Sequence, residues 1–310
     1  MLSRLVTSAT VAASLATVLA YGGRWFWACE LLVNFRTHFV LVLGLALVLA
    51  LVLRRWWIVG AAALSLALNL WPMHGVFMGP EARPAASDAR PVRVAAFNVN
   101  IANEDIPGIA AYLETVAPDV VVLEESPANA DRLAALLPQL PHRYFAEEDG
   151  VWGVVILSRW PLIAPRPAMA GDVPFGARAD VNLGDRTFRL YGVHLHWPVV
   201  PDSERIRNHQ LRAIGRELAG CEQACVVVGD FNVTPWSSHF RDVLKTSGVR
   251  DCAAGRGLLN TWSASLPTPL RIRIDQCLIA GAAGVAGVRV GENVGSDHFA
   301  TINDLLIGSP

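Results

Sequence analysis

Charge is scarce in this chain. Of its 310 residues only 17% are charged, against about 25% in ordinary soluble domains. A basic surplus is missing altogether. Residues 91–310 hold 19 Lys and Arg against 24 Asp and Glu, so 19 − 24 = −5 with His neutral. Proteins that grip nucleic acid by its phosphates carry a basic surface. This balance gives no support for tight, general nucleic-acid binding, although it leaves room for a local arginine patch. Several catalytic signatures are absent too: there is no Gly-rich phosphate loop, no Ser-centred elbow and no His-Glu-x-x-His helix. Cysteine is sparse. Cys221 and Cys225 flank a polar turn with no further zinc ligands nearby. They either bridge in an oxidising compartment or stay as thiols, and the pairing of Cys252 and Cys277 cannot be read from spacing.

Apolar residues make up 53% of the chain, and residues 1–80 hold most of the excess. Three runs stand out: Leu5–Tyr21, Phe39–Leu53 and Trp57–Met78. A span needs about 20 apolar residues. The second run is short, and Ala28–Asn34 extends it if Arg36 and His38 are tolerated or the helix breaks there. Trp25, Trp27, Trp56 and Trp57 suit interfacial belts. The first run could instead be a signal peptide, but no small-x-small cleavage site precedes Tyr21 and two further runs follow. Residues 1–78 are therefore expected to form three transmembrane helices. The compact Arg54-Arg55 turn, on the same side as Arg4, favours the inside, which puts everything beyond residue 79 outside the cytoplasm. Residues 79–91, rich in Pro, Ala and Gly, read as a linker, and residues 92–310 as the soluble domain.

That domain is organised around Val226-Val227-Val228-Gly229-Asp230-Phe231-Asn232. A β-branched run reads as a buried strand, and Asn232 with Thr234-Pro235 as the loop that ends it. Asp230 and Asn232 lie two residues apart, on one side of an extended chain. The pattern recurs. Val92–Asn100 is a strand ending in Asn98 and Asn100. Val120–Leu123 runs into Glu124-Glu125, two carboxylates that are costly to desolvate unless a cation or donors meet them. Arg178–Leu183 and Thr187–Val193 form a hairpin, and His194 follows it. Asp275 lies beside a strand within Arg271–Ile279, and Asp297-His298 precede a last strand, Ala300–Leu306. Ile106–Val116, Ser203–Leu218 and Ser237–Thr246 have helical spacing. The arginines of the second helix read as a solvated face. What recurs at the strand ends is carboxylate, carboxamide and imidazole. Hard oxygen ligands suit Mg²⁺ or Mn²⁺ better than zinc. Imidazoles beside such an ion suit phosphoryl transfer to water, where charge builds on non-bridging oxygens.

These residues, in this order, resemble the endonuclease/exonuclease/phosphatase superfamily, the group that contains DNase I, the abasic-site endonucleases, neutral sphingomyelinases and inositol-polyphosphate 5-phosphatases. The resemblance runs from about Arg93 to Leu306. It rests on Phe97-Asn98-Val99-Asn100, Leu123-Glu124-Glu125, Gly153 to Pro161, Gly192-Val193-His194-Leu195, Gly229-Asp230-Phe231-Asn232, Arg273-Ile274-Asp275 and Ser296-Asp297-His298.

The resemblance implies an α/β fold, a four-layer αββα sandwich of two mixed sheets, with the site at the strand ends. It implies that Glu125 is the main metal ligand, with Asn98 and Asp297 close to the metal or its waters. Asp230 would orient or deprotonate the attacking water, and Asn232 would hold phosphate or nucleophile. His194 and His298 would bind phosphate oxygens or shuttle a proton, with Asp275 orienting His298. Arg178 and Asn100 are expected to face the substrate. There are departures. Glu124 replaces a frequent Gln, and Ser126 stands where abasic-site endonucleases carry Thr-Lys, which with the membrane segment puts DNA repair in doubt. The expectation is a multi-pass protein of the bacterial inner membrane whose Mg²⁺- or Mn²⁺-dependent domain hydrolyses phosphate esters. Nucleic acid and phospholipid headgroups remain open as substrates, and a non-catalytic binding module on the same fold is the outside alternative.

Overall fold

The computed structural model describes residues 1–79, 88–126, 130–146 and 150–309. Most of the expected linker, residues 80–87, lies outside the described residues. Twelve strands form two six-stranded sheets. In the first the order is β11 (Ala283–Val290), β12 (Thr301–Ile307), β1 (Arg90–Asn98), β2 (Val120–Glu124), β4 (Val154–Ser158), β3 (His142–Ala146). In the second it is β5 (Leu162–Ala170), β6 (Val173–Asn182), β7 (Thr187–His194), β8 (Ala224–Asp230), β10 (Asp275–Ala280), β9 (Arg250–Asp251). β1 runs parallel to β2 and β7 parallel to β8, while their other neighbours are antiparallel.

Period-two alternation divides each strand between two cores. Val92, Val94, Ala96, Val120 and Val122 of one sheet meet Phe188, Leu190, Val226, Val228, Cys277 and Ile279 of the other. The opposite faces are covered by helices. Ala95, Phe97, Val121 and Leu123 pack under α5 (Ile106–Val116) and α6 (Ala130–Ala135). Tyr191, Val193, Cys225 and Val227 pack under α7 (Pro201–Leu218) and α8 (Ser238–Ser247). The result is the expected four-layer sandwich of helices, sheet, sheet and helices.

Sequence periodicity misses β3, β5 and β9. β5 carries two prolines and reads as a loop, but at a sheet edge proline costs no ladder bond. Cys221 is bonded to Cys225, and Cys252 to Cys277.

The amino-terminal segment forms α1 (Leu2–Ala20), α2 (Trp27–Asn34), α3 (Arg36–Val52) and α4 (Trp56–Met78). α1 with its short 3₁₀ extension, and α4, are long and apolar enough to cross a membrane. α2 and α3 meet at Phe35 with a bend of 63° and together pass the same test. Val6, Ala46, Ala50 and Ile58 close one end of this bundle. At the other end Ala20, Val33, Met73 and Val76 close over Trp236 of the sandwich domain.

The segment is docked as well as linked. The carboxylate of Glu30, on α2, forms a fully buried ion pair with Arg207 at 3.2 Å and accepts from Ser237 Oγ at 2.6 Å. Asn34 Oδ1 accepts from the Thr234 backbone N–H and hydroxyl at 3.3 and 3.0 Å. Trp236 Nε1 donates to the Val33 carbonyl at 2.7 Å. Thr234, Trp236 and Ser237 lie just past Gly229-Asp230-Phe231-Asn232, while Arg207, expected on a solvated face of α7, is buried and donates to the Asn232 carbonyl. The amino-terminal segment thus grips the loop that leaves the central strand.

Candidate active site

The alternation that fills the inter-sheet core also builds the site. On each central strand the inward-facing series is apolar until its last member. Val92, Val94 and Ala96 lead to Asn98, and Val120 and Val122 lead to Glu124. Phe188 and Leu190 lead past Gly192 to His194, and Val226 and Val228 to Asp230. β10 runs the other way, so it begins at this end with Asp275, which pairs in register with Asp230. β12 is antiparallel to β1, and the loop before it brings in Ser296, Asp297 and His298.

Asp230 Oδ2 is the focus. Asn98 Nδ2 and Asn232 Nδ2 lie 3.4 and 3.3 Å from it, and Nε2 of His194 and of His298 lie at 3.7 and 3.8 Å. Its other oxygen accepts the Asn232 N–H at 2.8 Å. Glu125 follows an inward-facing residue and would point outward in a regular strand. Its φ of +58° turns it back, so that Oε1 accepts from Asn98 Nδ2 at 2.9 Å and Oε2 from the Ile101 N–H at 3.3 Å. Asn100 (φ +61°) and Asn232 (φ +49°) share this left-handed conformation. Such backbone is costly for a residue like Glu and persists where surrounding structure imposes it, often at functional sites. Asn100 donates to Asp297 Oδ1 at 2.6 Å, and Trp262 Nε1 to Asp297 Oδ2 at 3.0 Å.

The two histidines are in different protonation states. His298 Nδ1 lies 3.0 Å from Asp275, whose carboxylate also accepts from Thr261 Oγ1. Burial works against its charge, but Asp275, Asp230 and Asp297 outweigh it and raise the imidazole to about 10. His298 is therefore a cation that presents Nε2–H to the cleft. Burial, aided by the charge of His298, pushes His194 down to about 4. His194 Nδ1 lies 3.0 Å from the Val151 carbonyl, which requires a proton on Nδ1 and leaves a lone pair on Nε2. That atom is buried and has no hydrogen-bond partner among the described residues. His194 can accept a proton there, whereas His298 can donate one. Burial, then the charge of Asp275, raises Asp230 above the ordinary carboxylate value, with His298 partly opposing the shift. Asp297 is lowered: hydrogen bonds from Asn100 and Trp262 and the charge of His298 outweigh its burial.

The cleft they form has a volume of about 410 Å³ and is lined by Glu125, His194, Asp230, Asn232, Asp297 and His298, together with Trp197, Trp262 and others. Among the described residues no Lys or Arg lines it. Three carboxylates in a cleft with one protonated histidine leave negative charge uncompensated, and a divalent cation fits that deficit. Asp230, Asp275 and His298 offer ligand atoms within 4.8 Å of one another. Asp275, however, is committed to His298 and Thr261. That trio reads as a hydrogen-bonded relay, and Glu125 with its neighbours as the cation-holding side.

Asn98, Asn100, Glu125, His194, Asp230, Asn232, Asp275, Asp297 and His298 are all brought to this end of the sandwich. Arg178 is not. Its neighbours Ala177 and Ala179 face the inter-sheet core, so alternation turns it to the helical layer, where it pairs with Glu217 at 3.6 Å over the ring of Tyr191. The expected substrate role of Arg178 is corrected accordingly. Sequence reasoning also misses Thr261 and Trp262, which hold Asp275 and Asp297, and Leu31, Asn34 and Phe35 of the membrane segment, which line the cleft. Nothing local marks them: their roles come only from long-range packing.

Residues 95–298 match the family model described as "Endonuclease/Exonuclease/phosphatase family". The chain belongs to the endonuclease/exonuclease/phosphatase family. No curated protein matches it in sequence. Among solved structures, an endonuclease/exonuclease/phosphatase from Beutenbergia cavernae is similar with TM-score 0.57 at 21% identity, over 71% of this chain and 72% of that one. D. rerio TDP2 complexed with single-strand DNA product gives 0.58 at 17%, over 69% and 98%. Sphingomyelinase C from Streptomyces griseocarneus gives 0.53 at 19%, over 69% and 99%. At these identities the likeness establishes the shared fold. Proteins that share this fold thus include one complexed with a DNA product and a sphingomyelinase C.

Within this family site Glu124 is anomalous. It is fully buried over Gly229, and neither carboxylate oxygen has a hydrogen-bond partner among the described residues. Burial, then the charges of Asp275, Asp230 and Glu125, raises it well above the ordinary glutamate value of 4.5, which favours its protonated form in the folded chain. The unfolded chain loses that proton above about 4.5. Stability therefore falls as pH rises through that value. Glu124→Gln removes this loss. Thermal unfolding in EDTA should show the variant more stable at pH 7 and indistinguishable from wild type below pH 4. Equal midpoints at pH 7 would refute a neutral, unpartnered Glu124.

Proposed function

We propose that this protein is a membrane-anchored, divalent-metal-dependent phosphoesterase of the bacterial inner membrane, with its catalytic domain outside the cytoplasm. The observation that carries the catalytic reading is convergence: side chains from Asn98 to His298 meet around Asp230 Oδ2 in one cleft. Glu125, with Asn98 and Asp297 nearby, would hold Mg²⁺ or Mn²⁺. When bound, such an ion neutralises charge on phosphate oxygens and acidifies a coordinated water. Asp230, deprotonated, accepts the proton of the attacking water, and Asn232 fixes that carboxylate from two sides. His298 donates Nε2–H to a phosphate oxygen or to the leaving group, and Asp275 keeps it charged. His194 stays neutral and presents its Nε2 lone pair beside Asp230 and Glu125.

Orientation is supported by the positions of Arg4, Arg54 and Arg55 in the half of the bundle away from the catalytic domain, as cationic loops prefer the cytoplasmic side. Two disulfides in the catalytic domain suit an oxidising compartment. The test is a panel of plasmid DNA, abasic DNA, sphingomyelin, phosphoinositides and a chromogenic diester, each with and without Mg²⁺. The expected result is Mg²⁺-dependent hydrolysis of at least one ester, abolished by EDTA. Activity unaffected by EDTA would rule out the metal role. Mn²⁺ binding with no turnover on any ester would instead favour a binding module.

A further inference from the structure

Part of the lining of the catalytic cleft comes from the amino-terminal segment. Leu31 and Asn34 of α2, and Phe35 at the break before α3, line the same cavity as Glu125, Asp230, Asp297 and His298. The placement is enforced. Asn34 is tied to Thr234, Val33 to Trp236, Glu30 to Arg207, and His38 Nε2 lies 2.9 Å from the Leu270 carbonyl. α2 therefore cannot leave the cleft without breaking buried polar contacts.

Further apolar lining comes from Trp197, Pro198, Val199, Ile272 and Ile274. Several of these groups remain open to the surroundings: Phe35 is 39%, Trp197 39% and Val199 54% exposed. Leu266 and Leu270 add exposed apolar surface on the segment that His38 binds. α3 begins one residue after Phe35 and is almost wholly apolar. The cleft thus has a charged floor suited to a phosphate, apolar sides, and a rim continuous with a helix that enters the bilayer. A nucleic acid would meet those sides only through its bases, and among the described residues no Lys or Arg lines the cleft to meet the flanking phosphates.

We infer that the substrate is an amphiphilic phosphate ester taken from the bilayer, its phosphorus at Asp230 and His298 and its long apolar chain lying between Leu31 and Phe35 on one side and Trp197 and Val199 on the other. The inference rests on the phosphoesterase reading above and narrows it to a lipid-linked substrate. It makes the break between α2 and α3 part of the binding site as well as of the anchor.

Two esters that share a nitrophenyl phosphodiester headgroup test it, one with a methyl chain and one with a hexadecyl chain. Both are presented to the full-length protein in the same mixed micelles with Mg²⁺. Wild type should prefer the long-chain ester in kcat/KM by about a hundredfold or more, since each buried methylene contributes about a fourfold factor and only part of the chain fits the cleft. Phe35→Ser and, separately, the surface change Val199→Ser should each lower that long-to-short ratio by about tenfold. Val199 lies on an exposed loop, so the second variant reports even if the first misfolds. Equal use of the two esters, a ratio unmoved in both variants, or faster cleavage of plasmid DNA than of the long-chain ester would overturn the inference while leaving the phosphoesterase reading standing. Failure to cleave any of the three would overturn both.

Discussion

Asp230→Asn should lower the rate of phosphodiester hydrolysis by about three to four orders of magnitude, the usual contribution of a positioned general base or a group essential to it. The amide keeps the shape of the carboxylate and can keep the bond from the Asn232 N–H. It cannot accept the proton of an attacking water, and it leaves His298 and Asn98 without an anionic partner at Oδ2. Because Glu125 and Asp297 are untouched, Mn²⁺ binding should persist. Loss of turnover with retained metal binding separates this role from that of Glu125. A variant that keeps a tenth or more of wild-type activity would remove Asp230 from the chemistry.

Glu30→Ala should be the most destabilising single change outside the hydrophobic core. The Glu30–Arg207 pair is fully buried, and breaking one side of such a pair costs about 3–5 kcal/mol because the other charge is left without compensation. The effect should reach the site as well. Arg207 Nη1 donates to the Asn232 carbonyl at 3.1 Å, so an unpaired guanidinium that shifts toward water takes the Gly-Asp-Phe-Asn turn with it. The apparent unfolding midpoint in detergent should fall by about 10 °C or more, with a loss of activity even where the protein remains folded. Replacing both partners with apolar residues, Glu30→Leu with Arg207→Met, should restore much of the stability but not the activity, since the bond to Asn232 is gone. Wild-type stability in Glu30→Ala would mean that the segment and the domain are merely linked.

These two expectations divide along the line between what the residues announce and what they conceal. The polar strand ends were legible because Asn98, His194 and Asp230 each interrupt an apolar series at the place where alternation would put another core residue. Their convergence follows from topology: parallel neighbours bring their ends together, and an antiparallel one contributes its beginning. The apolar runs of the amino-terminal segment were legible from length, and the break near Arg36 from the polar residues that interrupt the second run. The docking of that segment was not. Glu30 and Asn34 find their partners 177 and 200 residues away, and no local pattern encodes a contact at that distance. Arg178 misled because residue type suggested phosphate, while period two had already assigned its face to the helical layer. Glu124 was recognised as an expensive neighbour of Glu125, but only its place above Gly229 shows that it is a buried, neutral acid.

The measurement that bears most directly on this account is the fate of solvent oxygen. Full-length protein with Mg²⁺ and a hydrolysable ester in ¹⁸O-labelled water should place one label on the phosphorus of the product per turnover, none on the departing alcohol, and no label at all once EDTA is added. Label in the alcohol, or its incorporation undiminished without a divalent ion, would contradict a water positioned by Asp230 and aimed at phosphorus.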